Sequence, residues 1–257
     1  MTITTDVTPT DRAGVTAPHR PYPLITRRPR IAALLCYLAN AAVIVGGAVL
    51  ARTLAPSWSG MAQSLLASVG VAALAVALLT GLRWWRTAGF NGRAEWRDLR
   101  LLALPAALTV VPVLTGFRPV AAGLLAMLIT GYALTGFMEE ALWRGVVLRI
   151  LRPTGTLPSV LLGSALFGAA HLTNVLFRPS VALVVAQAVG AACFGVGYAA
   201  LRLRTNTIWP LMLLHLMTDL FAAVGALPAI PILVAQDIIL LAYGLWLLRR
   251  RTPSGQR

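Results

Sequence analysis

Residues 119–150 read PVAAGLLAMLITGYALTGFMEEALWRGVVLRI, an apolar run whose first charge is Glu139. A helix needs about 20 apolar residues to cross a hydrocarbon core. The run is therefore read as a membrane-crossing helix that carries Glu139, Glu140 and Arg144 within its length. Seven further runs of the same character flank it, at 31–54, 61–82, 99–115, 157–174, 180–202, 207–226 and 229–248. Pro105 and Pro112 interrupt the run at 99–115, which is expected to be tilted or partly re-entrant. The expected fold class is all-α, a polytopic membrane helix bundle with about eight transmembrane helices.

Composition agrees with this. The chain of 257 residues is 58% hydrophobic and 12% charged, which excludes an ordinary soluble globule. Its 22 basic residues, all arginine, outnumber 8 acids and give a formal charge of +14. In a soluble protein that balance would suggest nucleic acid; here most arginines lie between apolar runs, at membrane ends, and no nucleic-acid partner is expected. Cys36 and Cys193 sit in separate apolar runs, so neither a disulfide framework nor a Cys-x-x-Cys metal site is expected.

Arginine placement also sets the topology, because loops on the cytoplasmic side carry the positive excess. With the N-terminus inside and eight crossings, the inner segments hold eighteen arginines and the outer ones only Arg52, Arg118 and Arg178, with Arg144 inside the fourth run. Both termini are then cytoplasmic. Residues 1–30, rich in proline and arginine and without the short apolar core of a secretory signal, are expected to form a retained, mostly disordered tail. Residues 31–248 form the bundle, and 249–257 a basic cytoplasmic tail. The all-arginine basic set points to a GC-rich bacterial genome, hence to a bacterial cytoplasmic membrane. Gly89 to Arg100 suits an interfacial helix. Gly46, Gly47, Gly70, Gly163, Gly168, Gly190, Gly195 and Gly197 are read as helix-packing positions.

Ionisable groups are costly inside a bilayer unless paired or hydrated, so each one asks for a reason. The apolar runs contain Glu139, Glu140, Asp219, Asp237, His171, His215 and Arg144. Glu140 and Arg144 are four apart, share a helical face and can neutralise each other, a structural pair supporting the site. Glu139 is turned about 100° from Glu140 and must find its compensation on another helix. Phe167 and His171 repeat the i, i+4 spacing, as do His215 and Asp219. Counted from the cytoplasmic ends of their runs, Glu139, His171, His215 and Asp219 lie on the order of 12–21 Å deep, so three helices bring them to one level. Phe167 is read as packing that shapes this pocket, Asp237 as a helix contact, a snorkelling group near the outer surface or a second site, and Asn174 and Gln187 as polar glue or loop groups.

The residue types suggest hydrolysis. Glu139, a carboxylate with no pairing arginine in a low-dielectric pocket, is the candidate general base. His171 and His215 can hold a water, stabilise an oxyanion or, with Glu139, coordinate a divalent metal, Zn2+ by donor type; Asp219 can orient His215. No serine or cysteine stands beside these groups in the sequence pattern, which favours an activated water over a covalent nucleophile.

Three segments carry a family resemblance: Glu139-Glu140-Ala-Leu-Trp-Arg144, Phe167-Gly-Ala-Ala-His171 and His215-Leu-Met-Thr-Asp219. In this order, each in its own apolar run, they resemble the EExxxR, FxxxH and HxxxN/D motifs of the CPBP (CAAX-protease, Abi and bacteriocin-processing) intramembrane endopeptidases. The similarity covers roughly residues 99–226. It implies an eight-helix bundle cleaving peptide bonds in a peptide or membrane-protein substrate with a water activated by Glu139. It further implies that Glu140 and Arg144 support the site, and that His171, His215 and Asp219 line it and bind water, a metal or the oxyanion. Both a metal-free glutamate mechanism and a metalloprotease fit that implication. Asp219 departs from the asparagine of many members, and an aspartate has no amide hydrogen to donate. Two other classes share these features. A non-catalytic immunity or scaffold protein of the same fold would retain the polar centre; an ion-coupled transporter should show inverted repeats and broken helices in matching halves, neither of which is present in the sequence.

Overall fold

The computed structural model describes residues 22–92 and 94–249. Both terminal tails beyond these bounds, and Arg93, lie outside the described residues. The expectations of a disordered leader and a basic C-terminal tail fall there, apart from residues 22–30 and Arg249. Helix α1 (Pro23–Arg27) and the first turn of α2 (Pro29–Leu54) occupy the end of the stretch read as a tail. Tyr22 ties this end down by donating its hydroxyl to Gly81 O at 2.9 Å.

Helices account for most of the described residues. After α2 come α3 (Gly60–Gly81), a short α4 (Trp96–Leu99) and α5 (Ala103–Val110). Next is α6 (Ala122–Glu139), which runs on through a π-helical stretch, Glu140–Val147, into α7 (Leu148–Leu151). The bundle is completed by α8 (Thr156–Ala170), α9 (Val181–Thr205), α10 (Trp209–Val224) and α11 (Ala229–Arg249). Among the described residues there is no strand, only an isolated antiparallel bridge between Phe117 and Gly225.

Six helical spans are long and apolar enough to cross a membrane: Pro29–Leu54, Gly60–Gly81, Ala122–Thr154, Thr156–Leu176, Val181–Thr205 and Ala229–Arg249. Helix α10, at 16 residues, is about 24 Å long and shorter than a full hydrocarbon thickness. The run at 99–115 is helical but broken: α4 passes through a 3-10 turn (Arg100–Leu102) into α5 and a second one (Val111–Val113). Pro105 and Pro112 lack the backbone donors a continuous helix would use there. Its two ends are nonetheless pinned apart, Leu101 O accepting from Tyr243 Oη at 2.9 Å and Pro112 O from Leu227 N at 3.2 Å.

The residues leading into the segment expected as an interfacial helix dock onto the α9–α10 junction. Buried Arg202 donates through Nε to Ala88 O (3.0 Å) and through Nη2 to Thr87 O (3.2 Å). Trp209 Nε1 donates to Phe90 O at 2.8 Å, with Phe90 edge-on to both Trp85 and Trp209. Of the described residues in the expected stretch, Trp96–Leu99 are α-helical and Arg100 opens a 3-10 turn. These contacts satisfy carbonyls that a lipid surface would leave exposed.

Helix α9 packs against α8 and α11, α2 against α3, and α6 against α10 and α3. The approach of α6 to α10 depends on Gly136, where an added Cβ would stand 2.8 Å from Met212 O and 3.4 Å from Leu216 N. Gly46, expected at a packing position, instead faces open space, with nothing within 4 Å of an added Cβ. Gly136→Val is therefore expected to destabilise the protein by about 1–3 kcal/mol through overpacking. Gly46→Ala should stay within about 0.5 kcal/mol of the parent. Thermal unfolding of both variants in detergent checks this, and equal midpoints would refute the assigned role of Gly136.

Candidate active site inside the bundle

Gly136 lets α10 close on α6 at the level where α6 becomes a π-helix, and this puts the two adjacent glutamates to different uses. π-helical turns are rare and frequently accompany functional sites. Glu140, fully buried, forms an ion pair with Arg144 Nη1 at 3.0 Å, as the i, i+4 spacing implied. It also meets a partner the sequence did not indicate, His215 Nδ1 at 2.8 Å. Because a carboxylate only accepts, His215 carries a proton on Nδ1 and its Nε2 is aimed at the neighbouring acids.

Glu139 lies between two imidazoles. Its Oε1 is 3.8 Å from His171 Nε2 and its Oε2 3.4 Å from His215 Nε2, on α10. Thus the missing compensation comes from two other segments. His171 opens the 3-10 turn after α8, and its Nδ1 sits 3.0 Å from Phe167 O. A carbonyl accepts, so Nδ1 is the donor and, in the neutral ring, Nε2 presents a lone pair toward Glu139. Glu139 Oε2 is buried with no hydrogen-bond partner among the described residues. Asp219, its side chain 32% exposed, stands at the open edge with Oδ2 3.8 Å from His215 Nε2, beyond direct hydrogen-bond reach.

An aromatic wall holds these groups. Phe167 stacks under the Arg144 guanidinium, 4.2 Å from ring centroid to Cζ, and meets His171 edge-on at 4.8 Å. Its expected packing role therefore includes a cation–π contact. Phe194 and Tyr198 of α9 stack on each other at 3.9 Å and pack against His215. Neither was singled out in the sequence, although their i, i+4 spacing puts them on one helical face. Asn174 donates to Gln187 Oε1 at 2.9 Å, the polar bridge expected of them. Asp237 lies apart, its carboxylate against Gly190 of α9.

A cavity of about 80 Å3 opens beside Glu139 and His171 and reaches neither His215 nor Asp219. Space of that size admits several waters, each needing at least about 10–15 Å3. Two imidazoles and a carboxylate suit Zn2+ by donor type. Among the described residues, however, no three His, Cys, Asp or Glu side chains are arranged around a common point as metal ligands.

Fold and site together define a class: an integral membrane protein with a polar centre of one uncompensated carboxylate and two histidines inside its helices. Residues 121–221 match the family model described as Rce1-like, type II CAAX prenyl endopeptidase Rce1-like. That segment contains all three motifs and is similar to this family of CAAX-type proteases. No individual curated protein matches the chain.

Proposed function

We propose that the protein is an intramembrane endopeptidase that hydrolyses a peptide bond with a water activated by Glu139. The observation that carries this reading is the placement of Glu139, between two imidazole Nε2 atoms at 3.4 and 3.8 Å and on the wall of a water-sized cavity. A water held there gives one hydrogen to Glu139 and the other to His171 Nε2, leaving an oxygen lone pair for the scissile carbonyl carbon. Glu139 takes the proton as the C–O bond forms, and returns it to the leaving amine as the C–N bond breaks. His215, with Nδ1–H fixed on Glu140, stabilises charge on the far side of Glu139 when its Nε2 is also protonated. Asp219, 3.8 Å from that Nε2, favours its protonated form by charge alone. Glu140 and Arg144 act through His215 rather than on substrate.

We take the chain to cross the membrane eight times, the broken α4–α5 segment and α10 included, with both termini cytoplasmic. The pinned ends of the α4–α5 segment and the arginine distribution support this count. The site then lies in the cytoplasmic half, where a C-terminal peptide anchored by a lipid could reach it. His171, His215 and Glu139 remain the donors that a divalent ion would take.

The test uses the full chain in lipid nanodiscs with a quenched fluorescent farnesylated CAAX peptide, beside the same peptide unprenylated. Release of the C-terminal tripeptide, identified by mass spectrometry, is the expected result. Turnover surviving an excess of chelator, with no stoichiometric metal in the purified protein, is expected of a metal-free water. Loss of turnover that Zn2+ restores would transfer activation to an ion. A folded chain that cuts neither peptide would favour a scaffold or immunity role.

A further inference from the structure

Helices α2 and α3 lie outside the matched region and carry no motif of the family, yet α2 reaches the same cavity. Its Asn40 lines that cavity together with Glu139 and His171, and is only 2% exposed. A carboxamide buried in a membrane helix is costly unless something uses it. Among the described residues its side chain has no hydrogen-bond partner, and its polar atoms are not among those sealed from solvent. They face the cavity.

The other hydroxyls and the other carboxamide on this wall are already committed. Ser64 Oγ donates to Met61 O at 2.8 Å, Ser68 Oγ to Ser64 O at 3.0 Å and Thr173 Oγ1 to Ala170 O at 2.7 Å. Asn174 donates its amide to Gln187. Close contact between α2 and α3 fixes Asn40 in place: Val43 packs where a Cβ on Gly70 would be 2.8 Å away, and Gly47 abuts Ala67. Ile44, one turn on from Asn40, lines the same cavity, so this face of α2 is the one turned to the site.

Peptide hydrolysis needs a donor for the oxygen that gains charge as water adds to the carbonyl. His171 offers Nε2 as an acceptor in its neutral form, His215 stands on the far side of Glu139 and does not line the cavity, and Asp219 has no amide hydrogen to give. We infer that Asn40 supplies this donor, its Nδ2–H addressing the oxygen of the scissile carbonyl from α2, across the cavity it shares with Glu139 and His171. This makes Asn40 a catalytic residue of the hydrolysis proposed above, on which the inference rests. Either orientation of the carboxamide serves, since a flip exchanges its donor and acceptor.

Asn40→Asp removes the donor at constant shape, and Asn40→Leu removes polarity in a way lipid-embedded helices accept. The full chain in nanodiscs is assayed with the farnesylated peptide, and with a peptide aldehyde whose hydrate mimics the tetrahedral adduct. Both variants are expected to keep the parent's unfolding midpoint and a KM within about threefold. Their kcat is expected to fall by about 10²–10³-fold, with aldehyde binding weakened in proportion. Turnover within about threefold of the parent in both variants overturns the assignment alone. So does a loss of turnover in Trp143→Phe, the indole on the same wall, with Asn40→Asp unaffected. Unfolding of both variants would make Asn40 structural and overturn it too. No cleavage by the unmodified chain brings down the hydrolase reading, and this assignment with it.

Discussion

Glu139→Gln is expected to lower kcat on a cleaved peptide by about 10³–10⁴-fold, at the upper end of what one acid–base group contributes. The loss should be large because the same carboxyl both takes the proton of the attacking water and returns it to the amine. Glutamine keeps the side-chain shape but accepts no proton, so KM should move little. The fold should survive, since Glu139 makes no i, i+4 pair within α6 and its two imidazole contacts are longer than hydrogen bonds. Glu139→Asp provides the graded control: withdrawing the carboxylate by one methylene should leave measurable turnover, because the base is retained at a poorer distance. Stopped assays of parent, Gln and Asp variants with matched unfolding midpoints decide this. Equal cleavage by parent and Gln variant would remove Glu139 from the chemistry.

Much of the site was legible because membrane burial makes polar residues conspicuous. Glu139, His171 and His215 stand out in apolar runs, and their shared depth followed from helical rise alone. The Glu140–Arg144 pair was visible because it is local. What stayed hidden depends on contacts between distant segments. The bond from His215 to Glu140 requires α10 to approach α6 at Gly136, and no periodicity in either helix encodes that approach. The π-helical turn at Glu140–Val147 has no residue signature, since any of those residues could continue an α-helix. Asn40 was passed over because a single asparagine in an apolar run looks like one polar interruption until the cavity beside it is seen. Docking of residues 87–90, at the start of the segment read as interfacial, stayed hidden for the same reason, because Arg202 and Trp209, distant in the chain, take their carbonyls. Prolines at 105 and 112 did announce an irregular third segment, though not that 3-10 turns would take up the break.

Arg144→Met is expected to cost about 3–5 kcal/mol of stability, the usual penalty for stripping one partner from a buried ion pair. Glu140 would then keep its charge at zero exposure with only the His215 ring to meet it, and Phe167 would lose the guanidinium over its face. Arg144→Lys should recover part of the loss, because an ammonium restores charge without the planar stacking surface. The decisive variant is the double one, Glu140→Gln with Arg144→Met. It removes both charges while the Gln carbonyl oxygen can still accept from His215 Nδ1. Its stability is expected to exceed that of Arg144→Met, with a coupling energy of about 2–3 kcal/mol across the cycle. It should also retain measurable peptide cleavage, since Glu140 is assigned to hold His215 and not to touch substrate. Reversible unfolding in mixed micelles, with turnover measured on the same preparations, reads both quantities. A double variant as unstable as the single one would show that Arg144 acts through the Phe167 stack and not through Glu140. A stable but wholly inactive one would move Glu140 from support of the ring into the chemistry itself.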